Sequence, residues 1–485
     1  MMKKVIKCLI VWIGVSIAFF AANGAAKRPN VLFISVDDLN DWVGCIGGNP
    51  QAKTPNLDKF NSEGGMVMYD AHCAAPLCGP SRGALLTGRY PHKTGIYQNQ
   101  DHLPTIVKKK NLITLPEYFS QHGYHTISRG KIFHPQSPIP KDNKWNFGKW
   151  AFDEWAGRPS SVAPIGSKRP VNGLPNLPNE KKSYHSKAFD WGPTKGNDET
   201  KMRDHVTASW GAKQLEKRDF DKPFFMAIGI SQPHLPWHLP QKYFDMHPLE
   251  DIVLPKTLKG DLKDIKDKKG KFLKPDPTWQ RVENAGRHKE AVQAYLAAVS
   301  FADECVGLLL DSLAQSKYAD NTIVVIWGDH GWHLGEKLKY GKATLWQESC
   351  RTTLMVKVPG LTPNNKKCMG VVNLIDLYPT LLDLCGLPKN SNNDGRSLVK
   401  LLKSPDMTWN EPTLTDFYHF GAHRIYDGRY SYIVFEGKGT EELYDHKKDP
   451  MEWKNLVAHP EYAQIYKRLK ALVPTEREPD SRKNK

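Results

Sequence analysis

Two pairs of adjacent polar residues, Asp37-Asp38 and Asp329-His330, each follow directly on an apolar run, Asn30 to Val36 and Asn321 to Trp327. Runs of that length, bounded by turns and polar residues, read as buried strands. Pairs that leave two strands at their carboxyl ends reach the same edge of a sheet, so the four side chains can meet. Three carboxylates make a hard, oxygen-rich site of the kind calcium takes, while the single imidazole keeps magnesium and manganese open. An Asp-Asp pair after a strand is also a common helix-capping turn. The second pair, inside GDHGWHLGEK from Gly328 to Lys337, argues against capping. Cys78 opens a third cluster, Cys78-Gly79-Pro80-Ser81-Arg82, and taken alone reads as a small core cysteine at a turn.

The elements that must position these residues alternate. Strand-like runs at Asn30 to Val36, Pro223 to Ile230 and Asn321 to Trp327 are separated by helical patterns at Leu115 to His122, His205 to Leu215 and Ala291 to Leu313. Such alternation predicts an α/β fold with a large, mostly parallel sheet sandwiched by helices. In such sheets sites form beyond the carboxyl ends of the strands, where the polar clusters fall. Trp145 to Thr200, rich in Pro, Gly, Lys and Trp, reads as a long surface excursion, a frequent form of binding loop. After Asp394-Gly395-Arg396-Ser397-Leu398 the pattern shortens to strand-like pieces at Arg429 to Phe435 and Glu442 to Tyr444, then a helix, which predicts a smaller carboxyl-terminal α+β subdomain.

The string from Cys78 to Arg89, CGPSRGALLTGR, combines C-x-P-S-R with L-x-T-G and resembles the maturation signature of the sulfatase family. The resemblance implies that Cys78 is oxidised to formylglycine by a formylglycine-generating maturation enzyme. A hydrated aldehyde carries two hydroxyls on one carbon, one to attack sulfur and the other to expel sulfate, whereas a thiol carries none. GDHGWHLGEK is similar to sulfatases as well, and Gly130-Lys131-Ile132-Phe133-His134-Pro135 has the longer spacing of the iduronate-2-sulfatase branch. Gln232-Pro233-His234-Leu235-Pro236, after the strand Phe224 to Ile230, and Lys342 in KYGKATLW occupy matching places. NLIDLYPTLLDLCGL and ELYDHKKDPMEWKN extend the likeness over nearly the whole mature chain.

What the resemblance implies is an alkaline-phosphatase-like fold with Ca2+ held by Asp37, Asp38, modified Cys78, Asp329 and His330. Arg82, Lys131 and Lys342 would neutralise the sulfate oxygens. Asp329 would help deprotonate the attacking hydroxyl. His234 would be the acid for the departing sugar alcohol, with Lys342 as the other candidate, and His134 the base that returns the sulfated hydrate to aldehyde. A phosphodiesterase or phosphonate hydrolase of the same superfamily, and a lectin-like protein that only binds sulfated glycan, remain the alternatives.

A basic start (MMKKVIK), an apolar run from Cys8 to Phe20 and small residues up to Ala26 have the layout of a secretory signal peptide. The expected organisation is a leader at 1–26, a catalytic domain at 27–405 and the smaller subdomain at 406–485. The product is exported, periplasmic or secreted, with no membrane attachment after leader cleavage. The formal charge of +16 falls to +13 once Lys3, Lys4 and Lys7 leave with the leader, which suits a polyanionic partner. No nucleic-acid motif with interleaved aromatics accompanies that charge, and Lys256 to Lys274 read as a solvated loop. Seven cysteines then remain at wide spacings, an odd number that fits no compact disulfide framework. Trp145, Trp150, Trp155 and Trp191 in the excursion suit a sulfated sugar, and the family resemblance extends this to sulfated oligosaccharides or polysaccharides such as glycosaminoglycans, carrageenan and ulvan, with ulvan the first candidate.

Overall fold

The computed structural model describes residues 28–134, 150–160, 171–175, 177, 188–417 and 421–480. The expected leader and Trp145 lie outside the described residues. Among the described residues no helix is long and apolar enough to cross a membrane.

An eight-stranded sheet runs in the order Lys367–Asn373, Met66–His72, Leu354–Lys357, Thr322–Gly328, Asn30–Val36, Phe224–Ile230, His125–Gly130, Glu154–Trp155. Only Leu354–Lys357 runs antiparallel to its neighbours. The three strands read from the sequence are its centre, and all seven residues of each are buried. Their side chains alternate between two cores. Leu32, Ile34 and Val36 pack under the long helix His288–Ala314, whereas Val31 and Phe33 face Leu85, Phe119 and Tyr378 on the other side. Each such side chain withdrawn from water contributes about 1.5–3 kcal/mol, which fixes the register that the site requires.

That register is level. Val36 lies opposite both Ile230 and Gly328, and Gly130 lies opposite Gly229, so three strands end together and the fourth one residue earlier. Their next residues, Asp37, Asp329, Ser231 and Lys131, therefore leave at one edge. The close approach there needs glycine, because a Cβ on Gly229 would stand 2.3 Å from the Lys131 backbone nitrogen. Helix Cys78–Thr87 begins beside this edge after extended Leu77 and stops at Gly88, whose φ of 68° ends the turn. Its amino terminus thus carries Cys78 into the site.

A second, antiparallel sheet of Thr413–Phe417, Ala422–Tyr426, Tyr430–Phe435 and Thr440–Asp445 forms the small carboxyl-terminal unit. One face packs against helix Ala463–Lys470 through Tyr432, Leu443 and Leu469. The other face sets Ala422, Ile433 and Tyr444 against Leu345, Trp346 and Cys350. The sequence pattern found the last two strands and missed the first two. In the excursion, Glu154–Trp155 adds the edge strand of the main sheet and Trp191–Pro193 pairs with Trp237–Leu239. Trp191 is a core residue, 5% exposed, and the half-buried Trp150 packs on Phe133.

Candidate active site

Cys78 is the first residue of its helix and has no solvent exposure. Its Sγ lies 2.8 Å from Lys342 Nζ, 3.3 Å from His330 Nε2 and 3.7 Å from Asp38 Oδ1. Burial pushes the thiol above its usual range despite the opposing pull of Lys131 and Lys342. Asp38, in a left-handed conformation (φ 63°), turns its backbone N–H onto Asp329 Oδ1 at 3.0 Å. Tyr295 fixes this turn by donating its hydroxyl to the Asp38 carbonyl (2.8 Å) and accepting from Asn40 N (3.1 Å).

Arg82, one turn further along the same helix, lies behind the carboxylates. Its Nε donates to Asp329 Oδ2 at 2.8 Å, its Nη2 to Asp37 Oδ1 at 2.9 Å, and its Nη1 to the carbonyls of Lys131 and Ile132. With a side chain only 1% exposed, Arg82 is a clamp joining three strand ends. Lys131 Nζ bonds Asp37 Oδ2, and Lys342 Nζ bonds Asp38 Oδ1 while lying over the Trp332 ring. Burial alone would raise Asp37, yet Lys131 and Arg82 hold its carboxyl well below the usual range. Burial wins at Asp38 and raises it, and its Oδ2 has no hydrogen-bond partner among the described residues.

Burial lowers all three histidines of the site. Burial lowers His330, whose Nδ1 faces the Gly331 carbonyl at 3.0 Å, so Nε2 turns a lone pair toward Cys78, Asp38 and Asp329. Burial and Lys131 lower His234 to about 3, and its Nδ1 is fixed on the Leu235 carbonyl at 2.6 Å. His134 is pushed well below its usual value by burial and Lys131. Ligand atoms of Asp38, Cys78, Asp329 and His330 lie within 4.8 Å of one another, as do those of Asp37, Asp38, Cys78 and His234. Carboxylates, one imidazole lone pair and an orphaned carboxylate oxygen make a donor set that fits a divalent cation. The residues expected from the sequence are thus brought together. Tyr295, Ser35 and Ser81, which hold them through hydrogen bonds to Asp38, the Lys131 carbonyl and the Asp329 carbonyl, were not foreseen.

The large, mostly parallel sheet with helices and the small antiparallel carboxyl-terminal sheet make an alkaline-phosphatase-like fold. The sulfatase family model matches residues 29–387, and the carboxyl-terminal model of N-sulphoglucosamine sulphohydrolase matches 328–478. This chain belongs to the sulfatase family, whose members are sulfuric ester hydrolases. A sulfatase of Formosa agariphila is 39% identical over 454 residues, covering 92% of this chain and 86% of that protein. Iduronate 2-sulfatase of Mus musculus is 28% identical over 402 residues, covering 76% and 70%. An ulvan-active sulfatase of Formosa agariphila is 26% identical over 463 residues, covering 92% and 80%. Among solved structures, phosphonate monoester hydrolase of Agrobacterium radiobacter superposes with a TM-score of 0.73 at 19% identity, covering 92% of this chain and 94% of that one.

Tyr295→Phe leaves a buried carbonyl and a buried N–H beside Asp38 without their partner. The expected cost is about 1–3 kcal/mol of unfolding free energy, read as a lower denaturant midpoint at constant slope. An unchanged midpoint would mean that the turn at Asp38 does not depend on the hydroxyl.

Proposed function

We propose that this protein hydrolyses sulfate esters of a sulfated polysaccharide or its oligosaccharides, with Cys78 matured to formylglycine beside a calcium ion. The observation that carries this reading is the convergence of Asp38, Asp329, His330 and Lys342 on the Cys78 side chain. Calcium would be held by Asp37, Asp38, residue 78, Asp329 and His330, and when bound it supplies positive charge that polarises the sulfate and acidifies the attacking hydroxyl. Because Cys78 is wholly buried, its oxidation by the maturation enzyme precedes completion of folding. Export through the expected leader agrees with that order and belongs to the same reading.

The chain's own groups divide the work. Lys131 and Lys342 neutralise the sulfate oxygens in the transition state, and Arg82 keeps Asp37 and Asp329 ionised and in place. Asp329 takes the proton of the attacking hydroxyl. Nδ1 of His234 is tied to Leu235, so Nε2 is the nitrogen left for the departing sugar oxygen. A sulfate ester placed between the lysines and the imidazole raises the His234 pKa, because a nearby negative charge favours imidazolium. His134, lowered by burial, stays a base, as collapse of the sulfated hydrate requires.

A cavity of about 820 Å³ between Asp267–Gln280 and the small sheet is lined by Lys271, Phe272, Lys274, Lys339 and Lys438. Part of the lysine-rich loop therefore lines a basic cavity of its own, suited to an anionic partner. The names of the iduronate 2-sulfatase and the ulvan-active sulfatase support a sulfated glycan, and ulvan is the first to assay. Parallel measurement of sulfate and phosphate release separates this reading from phosphonate or phosphodiester hydrolysis, to which the likeness is one of fold.

Peptide mass spectrometry across Cys78 in active protein is expected to show aldehyde in place of thiol. Cys78→Ala is expected to abolish turnover with the fold retained, and full activity from wholly unmodified cysteine would exclude the mechanism. Chelation is expected to remove activity and added calcium to restore it, with Asp329→Ala weakening both metal binding and turnover. Activity that persists after verified metal removal would contradict the assignment. His234→Ala is expected to slow release from a sulfated sugar about 10²- to 10⁴-fold, and far less from an aryl sulfate, whose phenolate leaves without a proton. Equal losses would move the acid role to Lys342.

A further inference from the structure

The lysine-rich segment folds into a wall. Lys266 bridges Phe272 in antiparallel fashion, and the chain between them turns at Gly270, whose φ is 75°. The wall is tied down at two points. Lys268 N–H donates to the Lys438 carbonyl at 2.8 Å, in the turn between the last two strands of the small sheet, and Asp276 N–H donates to the Leu338 carbonyl at 3.0 Å. The cavity of about 820 Å³ between this wall and the small sheet has the size of a ligand site, roughly 300–1,000 Å³. Its lining shares no residue with the cluster around Cys78.

Five lysines and three carboxylates line the cavity. The carboxylates are engaged by the protein itself. Asp267 accepts the N–H groups of Lys269 and Lys271 at 2.9 Å, and Asp276 accepts Thr278 N–H at 2.9 Å and Lys339 Nζ at 3.1 Å. Glu442 accepts Trp346 Nε1 at 2.8 Å and the Tyr444 hydroxyl at 2.7 Å. Two of the lysines are likewise paired, Lys337 with Asp261 and Lys339 with Asp276. Lys271, Lys274 and Lys438 are exposed and form no ion pair among the described residues. They stand around an apolar surface to which Phe272, 46% exposed, and Leu273, 39% exposed, belong. Lysine is a flexible point charge and suits a row of anions on a chain better than one anion in a fixed fork. Sugar rings add apolar C–H faces that lie well against an aromatic ring.

We propose that this cavity is a non-catalytic binding site for an anionic glycan chain, whose sulfates or carboxylates meet Lys271, Lys274 and Lys438 while a sugar face lies on Phe272. The choice of a glycan rests on the sulfatase reading above. A chain held there raises the effective concentration of its esters at the protein without taking part in the chemistry. The segment read from the sequence as a solvated loop thereby gains a ligand.

The test compares the triple variant Lys271→Ala, Lys274→Ala, Lys438→Ala with a control, Lys213→Ala, Lys217→Ala, Lys400→Ala, which removes the same charge from exposed positions outside the cavity. Kd is measured in the Cys78→Ala background, so that no ester is cut, for sulfated, carboxylated and neutral oligosaccharides of one length. The cavity variant is expected to lose about tenfold in affinity for an anionic chain, the combined effect of three exposed charge contacts, and Phe272→Ala about threefold. With Cys78 intact, kcat/KM for an aryl sulfate and the melting temperature are expected to stay at wild-type values, while KM for a sulfated polymer rises. Tighter binding of the sulfated chain identifies sulfate as the anion, and tighter binding of the carboxylated chain identifies carboxylate. Wild-type affinity in the cavity variant would overturn the proposal, and so would an equal loss in the control. A neutral chain bound as tightly as the anionic ones, or an acidic peptide or oligonucleotide bound more tightly, would overturn it as well. No sulfate release from any substrate, with the loss of chain affinity intact, would instead refute the sulfatase reading and uphold the site.

Discussion

Three carboxylates, Asp37, Asp38 and Asp329, are each fully buried at one sheet edge. Two like charges about 4 Å apart repel by roughly 4 kcal/mol even at an effective dielectric constant of 20. Three cations answer them, with Arg82 bridging Asp37 and Asp329, Lys131 on Asp37 and Lys342 on Asp38. The compensation is uneven. Asp37 and Asp329 are held low, whereas Asp38 is pushed up and keeps one oxygen unpaired. With three charges of each sign the centre is balanced as it stands, and a divalent cation would leave it positive. An anionic ester is then attracted to a site whose carboxylates would otherwise repel it.

The sheet exists in the form that makes this possible. Parallel strands ending level deliver Asp37, Asp329 and Lys131 to one line, and a Cβ at Gly229 would break the approach of the Lys131 backbone. Arg82 then couples the parts, because its guanidinium touches residues from three strand ends while its own helix presents Cys78. The helix amino terminus beside residue 78 adds partial positive charge where an oxyanion would develop. A change that shifts Asn30–Val36 or Thr322–Gly328 by a residue would move an aspartate to the opposite face and lose the cluster.

The central strands and the polar pairs were legible because a buried parallel strand is an apolar run and its functional end is an abrupt change to Asp, His or Lys. The strand Leu354–Lys357 has four residues, and Thr413–Phe417 carries polar side chains buried by the main body, so neither presents a long apolar signature. The direction of Arg82 was not readable, since spacing does not tell which groups a guanidinium meets, and its N–H groups face the carboxylates. Tyr295 was invisible for a related reason. It sits in the apolar stripe of a long helix and looks like core until its hydroxyl is seen on Asp38.

The histidines are lowered first by burial and then by the same cations that balance the carboxylates, His234 to about 3 and His134 well below its usual value. In the proposed reaction a sulfate held between Lys131, Lys342 and His234 would screen the lysines from the imidazole and supply the negative charge that favours its protonation. The proton needed by the sugar alkoxide would then be acquired with the ester in place. His134, lowered by burial and by Lys131, would serve as the base. One electrostatic arrangement, a cationic rim over buried carboxylates, would on that proposal set both the affinity for the ester and the order in which the two imidazoles act.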